Sequence, residues 1–128
     1  MGKEVITVPN APKLPFSPAI RAGDYIFVSG QVGFIDSGGK EMKGIEAQTR
    51  QCLENMKQVL EAASSSLNDV VKVTIFLGHA DYFTQMNEVY KSYFSKDYPA
   101  RSTVITGLVN PSMLVEIECV AYSPRKRA

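Results

Sequence analysis

The segment from Tyr98 to Tyr122 carries charged side chains where an apolar strand is expected. Arg101 stands ahead of a β-branched run, and Glu116 and Glu118 interrupt an aliphatic one. A planar guanidinium can bind a carboxylate through two parallel hydrogen bonds. A carboxylate in apolar surroundings has a raised pKa, which suits proton transfer near neutral pH. These residue types could therefore bind a small anion beside a group that moves protons.

Side chains along the predicted strand Leu114–Tyr122 alternate between two faces. Glu116 and Glu118 share one face with aliphatic neighbours, and an isolated buried carboxylate costs on the order of several kcal/mol unless it is paired. Arg101 enters the preceding strand, expected to be antiparallel, and could pair with Glu116 or share a cleft with it. The pattern alone leaves two interpretations open: a functional site, or glutamates that face water or bind basic residues at an interface.

The elements that position these residues follow from the hydrophobic periodicity. A first strand is expected in residues 3–8, and the proline-rich stretch 10–20 is expected to be extended. A turn at Gly23 and Asp24 begins a hairpin with the strand Tyr25–Ser29. The remaining predicted elements are a helix over residues 45–63, an apolar strand over 70–78, a helix over 82–94, and strands over 101–106 and 114–122.

Both predicted helices are amphipathic. The first has its apolar stripe at Ile45, Thr49, Cys52, Leu53, Met56, Val59, Leu60 and Ala63. The second is expected to be capped by Asp81 and to turn Phe83, Met86, Tyr90 and Phe94 inward.

The order β-β-β-α-β-α-β-β predicts an α+β fold, a mixed sheet with two helices on one face, in a single domain spanning residues 1–128. Two helices can cover only one face of such a sheet, yet the strands at residues 70–78 and 114–122 are apolar on both. A symmetric oligomer is the simplest way to bury the other face.

Composition excludes several classes of function. The 128 residues have a formal net charge of +1, which gives no electrostatic footprint for nucleic acid or an anionic membrane. The tail Arg125, Lys126 and Arg127 is interpreted as a solubilising or disordered end. Cys52 and Cys119 are predicted to be small buried hydrophobes, and the single His79 a surface residue, so no metal site is expected. No membrane-spanning run or secretory signal is recognisable, which predicts a cytoplasmic protein.

Several segments in order resemble the reactive imine/enamine deaminase family, called RidA or YjgF: "FVSGQVG", "EAQTRQCLENMKQVLEAA", "DVVKVTIFL", "MNEVYKSYF", "YPARST" and "LVEIECVA". The resemblance covers nearly the whole chain. It implies a chorismate-mutase-like α+β fold, a homotrimer with clefts between subunits, and cofactor-independent hydrolysis of 2-imino or enamine acids to 2-oxo acids and ammonia.

The resemblance also implies roles for particular residues. Arg101 would bind the substrate carboxylate, and Glu116 would position a water and transfer protons. Further contacts to substrate or water would come from the Ser29 hydroxyl, from backbone groups of Gly30 and Thr103, and from Asn87 on the second helix. Without the resemblance, Asn87 would be interpreted as a helix-surface amide, and Glu118 is interpreted as structural.

Two departures from the family pattern bear on activity. "PFSPA" replaces the deaminases' "PYSQA", so Phe16 stands where a tyrosine hydroxyl reaches the site, and Thr103 stands where many members have cysteine. Two alternatives to the deaminase therefore remain. The first is a non-catalytic trimer that binds small carboxylates or partner proteins and acts as a regulator or chaperone, and Phe16 favours it. The second is an endoribonuclease. A near-neutral charge and a single histidine argue against the latter.

Overall fold

The computed structural model describes residues 2–9, 11–94 and 96–125, which form one six-stranded sheet and two α-helices. The strands are β1 (Glu4–Ile6), β2 (Ala19–Ala22), β3 (Tyr25–Val32), β4 (Val70–Leu77), β5 (Ala100–Ile105) and β6 (Val115–Tyr122). The helices are α1 (Ile45–Ala62) and α2 (Phe83–Tyr93), and short 3₁₀ turns precede β4 and α2. The predicted element order is confirmed.

The strands lie in the order β1-β2-β3-β6-β4-β5, and only β4 and β5 run parallel. The predicted hairpin of β2 and β3 is present, with Gly23 at a φ of 60° in the turn. One expectation was wrong: β5 does not neighbour β6. It pairs with β4, which lies between them, because the helical crossover through α2 favours a parallel pairing at the sheet edge.

Helices α1 and α2 cover one face of the sheet, and the core lies between them. Val73, Ile75 and Leu77 of β4 and the alternate residues of β6 are buried there against the predicted stripe of α1. Each fully buried aliphatic side chain contributes roughly 1.5–3 kcal/mol relative to an exposed one. Cys52 and Cys119 are both buried in this layer, as predicted.

The other face of the sheet carries large apolar side chains, and no layer formed by the described residues covers them. Phe27 is 48% exposed, and Tyr25, Val104 and Tyr122 are exposed to a similar degree. The predicted uncovered face is therefore present. We call it the open face.

Two details differ from the sequence-based expectations. Asp81 does not cap α2: it lies in the 3₁₀ turn Ala80–Tyr82, where the exposed His79 accepts a hydrogen bond from its backbone N–H. Phe83 is exposed rather than inward-facing, whereas Met86, Tyr90 and Phe94 are buried.

In the C-terminal tail, Arg125 forms an ion pair with Glu4, and Lys126 and Arg127 lie outside the described residues. No helix in the described ranges is long and apolar enough to cross a bilayer.

Candidate functional site

Arg101 lies on β5, at the edge of the sheet, and points toward the helices. Its register partner on β4 is the buried Val73, so the two side chains share the helix-covered face. The guanidinium carbon lies 4.8 Å from the ring centroid of Tyr90 and 5.7 Å from that of Phe83, both on α2. Stacking on aromatic faces is favourable for a guanidinium and leaves its edge N–H groups available.

The two arginines of the helix-covered face differ in what occupies their donors. Arg21 is buried and donates to the carbonyl oxygens of Ala63 and Ser123, so it ties the end of α1 to the C-terminal segment. Within the described residues, Arg101 forms no ion pair with an acidic side chain. Its positive charge is therefore uncompensated, which is the arrangement expected of an anion-binding arginine.

A hollow of about 310 Å³ opens beside Arg101. It is lined by Asn87, Tyr90, Lys91, Tyr98, Pro99 and Arg101. Asn87 Oδ1, the Tyr90 hydroxyl and Thr103 Oγ1 are buried and have no hydrogen-bond partner among the described residues. Such groups are costly to bury unsatisfied, so they mark a place where a ligand could complete the hydrogen bonding. Asn87 is thus half-buried at the hollow and is not a surface amide.

Thr103 lies on β5 two residues beyond Arg101, and its register partner is the buried Ile75. Both β5 side chains therefore face the helices, and Arg101 lines the hollow. We call the group of Arg101, Thr103 and Asn87 the arginine half-site.

Glu116 lies on the open face of β6, opposite Phe76 of β4. Its carboxylate rests against Gly30, and a Cβ atom at that position would overlap it. Burial, and secondarily the negative charge of Glu118, raise the pKa of Glu116 above the ordinary glutamate value. A raised pKa is what proton transfer near neutral pH requires.

Ser29 precedes Gly30 on β3, and its hydrogen bonds reach the segment that contains Phe16. The Ser29 hydroxyl donates to the Ser17 carbonyl oxygen at 2.6 Å, and the Ser29 N–H donates to the Pro18 carbonyl, so the proline-rich segment is held against β3. Phe16 at the start of that segment is 60% exposed. We call Glu116, Gly30, Ser29 and Phe16 the glutamate half-site.

The predicted residues therefore fall into two groups on opposite faces of the sheet. The ladder pairs Arg101 with Val73 and Glu116 with Phe76. These two residues of β4 are three positions apart, so their side chains point in opposite directions. The expectation that Arg101 of a chain pairs with Glu116 of the same chain, or shares a cleft with it, is wrong.

Sequence reasoning missed the aromatic residues around Arg101. Phe83 and Tyr90 were assigned only to the inward row of α2, and Tyr98 was given no role. A usable signal was present, because Phe83, Asn87 and Tyr90 recur at positions i, i+4 and i+7 and so share one helix face. Which strand that face would meet could not be read from the spacing.

The fold and these groups define a class: α+β proteins with a mixed six-stranded sheet, two helices on one face, and an arginine hollow at the sheet edge. Residues 8–123 match the family described as Endoribonuclease L-PSP, and the chain belongs to this family, which is the RidA/YjgF family.

Individual relatives agree with that assignment. A RutC family protein of Pyrococcus horikoshii is 49% identical over 94% of this chain and 98% of its own. A 2-iminobutanoate/2-iminopropanoate deaminase of the mite Dermatophagoides farinae is 36% identical over 92% and 94%. The crystal structure of RidA from an Antarctic Psychrobacter superposes with a TM-score of 0.86 at 36% identity, over 93% of this chain and 98% of that one. The YjgF-type fold expected from the sequence is confirmed.

Proposed function

We propose that the protein is a cofactor-independent deaminase that hydrolyses 2-imino and enamine acids to 2-oxo acids and ammonia. The observation that carries the proposal is the uncompensated guanidinium of Arg101 at a hollow with unsatisfied polar groups. An anionic substrate with hydrogen-bonding groups near its carboxylate fits that chemistry. The name of the mite relative, a deaminase of 2-imino acids, supports the same reaction.

The complete site is proposed to lie between two chains of a homotrimer. The arginine half-site and the glutamate half-site face opposite sides of the sheet, so one chain cannot supply both to a single substrate. If the hollow of one chain meets the open face of the next, the contact joins two different surfaces and closes into a ring. The same packing would bury Phe16 and the exposed aromatic residues of the open face.

Each half-site then has a separate task. Arg101 binds the substrate carboxylate through two hydrogen bonds and orients the C=N carbon. Asn87 Oδ1, buried and unsatisfied, accepts a hydrogen bond from the imine nitrogen. Backbone groups of Gly30 and Thr103 and the Ser29 hydroxyl hold the water and substrate in place.

Glu116 of the neighbouring chain takes a proton from the water as its oxygen attacks the C=N carbon. Glu116 passes that proton to the imine nitrogen, which gives a tetrahedral adduct with one hydroxyl and one amino group. Glu116 then transfers the hydroxyl proton to the amino nitrogen, the C–N bond breaks, and ammonia leaves as the carbonyl forms. Because an imine is already electrophilic, positioning and proton transfer suffice without a metal or cofactor.

The same residues bear on two other functions, carboxylate binding without catalysis and cleavage of RNA. A trimer that only binds carboxylates would have little use for Glu116 beside an anionic ligand, although Phe16 lacks the hydroxyl of the deaminase pattern. Cleavage of RNA, which the family description names, would be served poorly by a net charge of +1 and one histidine.

The test couples this protein to a pyridoxal-phosphate dehydratase that acts on threonine or serine and follows the appearance of the oxo acid. We expect the protein to accelerate the release of oxo acid above the rate in buffer. No acceleration with either amino acid would refute the deaminase. Incubation of the same preparation with single-stranded RNA tests the endoribonuclease alternative.

Matched variants assign the result to the site. Arg101→Ala and Glu116→Gln should abolish the acceleration, whereas Arg50→Ala, on the exposed face of α1, should not change it. Retained binding of a 2-oxo acid without any acceleration would favour the carboxylate-binding trimer instead.

A further inference from the structure

We propose that Tyr90, assisted by Phe83, is a positioning residue that fixes the plane of the Arg101 guanidinium for carboxylate binding. Its ring lies 4.8 Å from the guanidinium carbon, within stacking range, and Phe83 lies 5.7 Å from the same atom. This inference rests on the proposed role of Arg101 in binding a carboxylate. It adds the reason why that arginine is already in place.

Arg101 needs such a support because nothing else in the described residues holds its charged end. It forms no ion pair there, whereas Arg21 donates hydrogen bonds to backbone carbonyls. An unsupported arginine would have to be ordered when the ligand binds, which costs conformational entropy for a side chain with many rotamers. Stacking on an aromatic ring fixes the plane of the guanidinium before the ligand binds and leaves the N–H donors at its edge for the carboxylate.

Tyr90 is itself immobile. Only 4% of its surface is exposed, and its ring packs on Phe94 with 4.8 Å between centroids. Phe83, the first residue of α2, is 43% exposed and gives the guanidinium a second, more distant contact. The two rings stand seven positions apart on α2, on one face of the helix.

We assign the support to the ring of Tyr90, and removal of the hydroxyl in Tyr90→Phe tests that assignment. Burial raises the pKa of Tyr90 to about 12, although the positive charge of Arg101 opposes that shift. The hydroxyl therefore stays neutral at physiological pH and takes no part as an acid or base. A phenylalanine at this position should support Arg101 as well as tyrosine does.

The experiment compares Tyr90→Phe, Tyr90→Leu and Phe83→Leu in the assembled protein. Tyr93→Leu is the matched control, because Tyr93 lies on the same helix and its hydroxyl bonds to Glu54 instead. Side-chain NMR of the arginine guanidinium groups measures the mobility of Arg101 without ligand, and the coupled assay measures KM and kcat.

We expect Arg101 to be ordered in the native protein, in Tyr90→Phe and in Tyr93→Leu, and mobile in Tyr90→Leu. The KM of Tyr90→Leu should rise about tenfold with kcat nearly unchanged, and that of Phe83→Leu about threefold. Because Phe83 is exposed, its variant tests the inference even if Tyr90→Leu fails to fold.

Equal mobility of Arg101 in the native protein, in Tyr90→Leu and in Phe83→Leu would overturn the inference. So would a loss in Tyr90→Phe as large as that in Tyr90→Leu, because the hydroxyl would then be the important group. If the native protein shows no deaminase activity while the NMR pattern holds, the proposed function fails and the positioning role stands.

Discussion

The two faces of the sheet differ in what surrounds their charged side chains. On the helix-covered face, Arg21 is buried and donates hydrogen bonds to backbone carbonyls, whereas Arg101 at the edge lies against the ring of Tyr90 and forms no ion pair with the described residues. On the open face, Glu116 lies half-buried beside Gly30 among aromatic and aliphatic side chains. Helices α1 and α2 cover the first face, whereas the described residues leave the second face uncovered.

That difference explains why an apolar strand carries carboxylates. β6 has one face that a helical layer covers completely, so only apolar residues and Cys119 occur there. Its other face is free to carry Glu116 and Glu118 because no layer of the same chain excludes water from it. Assembly would then change the surroundings of Glu116 far more than those of the core.

The strongest test of this comparison is complementation between inactive chains. Arg101→Ala and Glu116→Ala should each lower kcat/KM at least a hundredfold, because a bidentate charged hydrogen bond or the proton-transferring group is lost. Unfolding the two variants together and refolding them should restore about a quarter of the native activity, since random assembly places both intact residues at that share of interchain sites.

The control for complementation is each variant refolded alone, which should remain inactive. Recovery in the mixture could not occur if every chain used its own Arg101 and Glu116. Failure of the mixture to recover, with trimers present by light scattering, would contradict a site shared between chains.

A second test breaks the open face itself. Phe27→Asp should dissociate the assembly, because burying an aspartate at an apolar contact costs several kcal/mol, on the order of the cost of an unpaired buried charge. Light scattering should then give the 14.1 kDa mass of one chain in place of about three times that mass. Gln58→Asp, on the exposed side of α1, should leave the assembly intact. A dissociated mass for both variants, or for neither, would argue against this face as the interface.

A smaller effect is expected from restoring the hydroxyl at position 16. Phe16→Tyr should raise kcat/KM by roughly twofold to tenfold, because one hydrogen bond contributes about 0.5–1.5 kcal/mol. The same substitution at Phe27 is the control, since Phe27 lies outside both half-sites. An unchanged rate would place residue 16 out of reach of the substrate.

The smallest effect concerns the pH profile. Glu116 must be deprotonated to act as a base, so activity falls as the pH drops through its raised pKa. Burial is the larger cause of that shift, and the charge of Glu118 adds to it. Glu118→Gln should lower the pKa of Glu116 and move the acid limb of kcat/KM to lower pH. A limb that moves to higher pH, or stays in place, would show that the two carboxylates do not interact.

Much of the fold could be predicted because periodicity is a local property. The stripe of α1, the alternation in β6 and the hairpin at Gly23 all depend on residues close in sequence. The same patterns predicted the uncovered face, since two helices cannot cover two sides of a sheet. The order of several motifs along the chain, rather than any single motif, indicated the family and the candidate site residues.

The sequence by itself therefore determined the elements, their apolar faces and the chemical types of the candidate residues. Only the tertiary structure decided that β4 separates β5 from β6, that Arg101 and Glu116 point to opposite faces, and that Tyr90 lies against the guanidinium. The physical reason is that alternation relates side chains within one strand, whereas strand neighbours and register are set by pairings between distant parts of the chain.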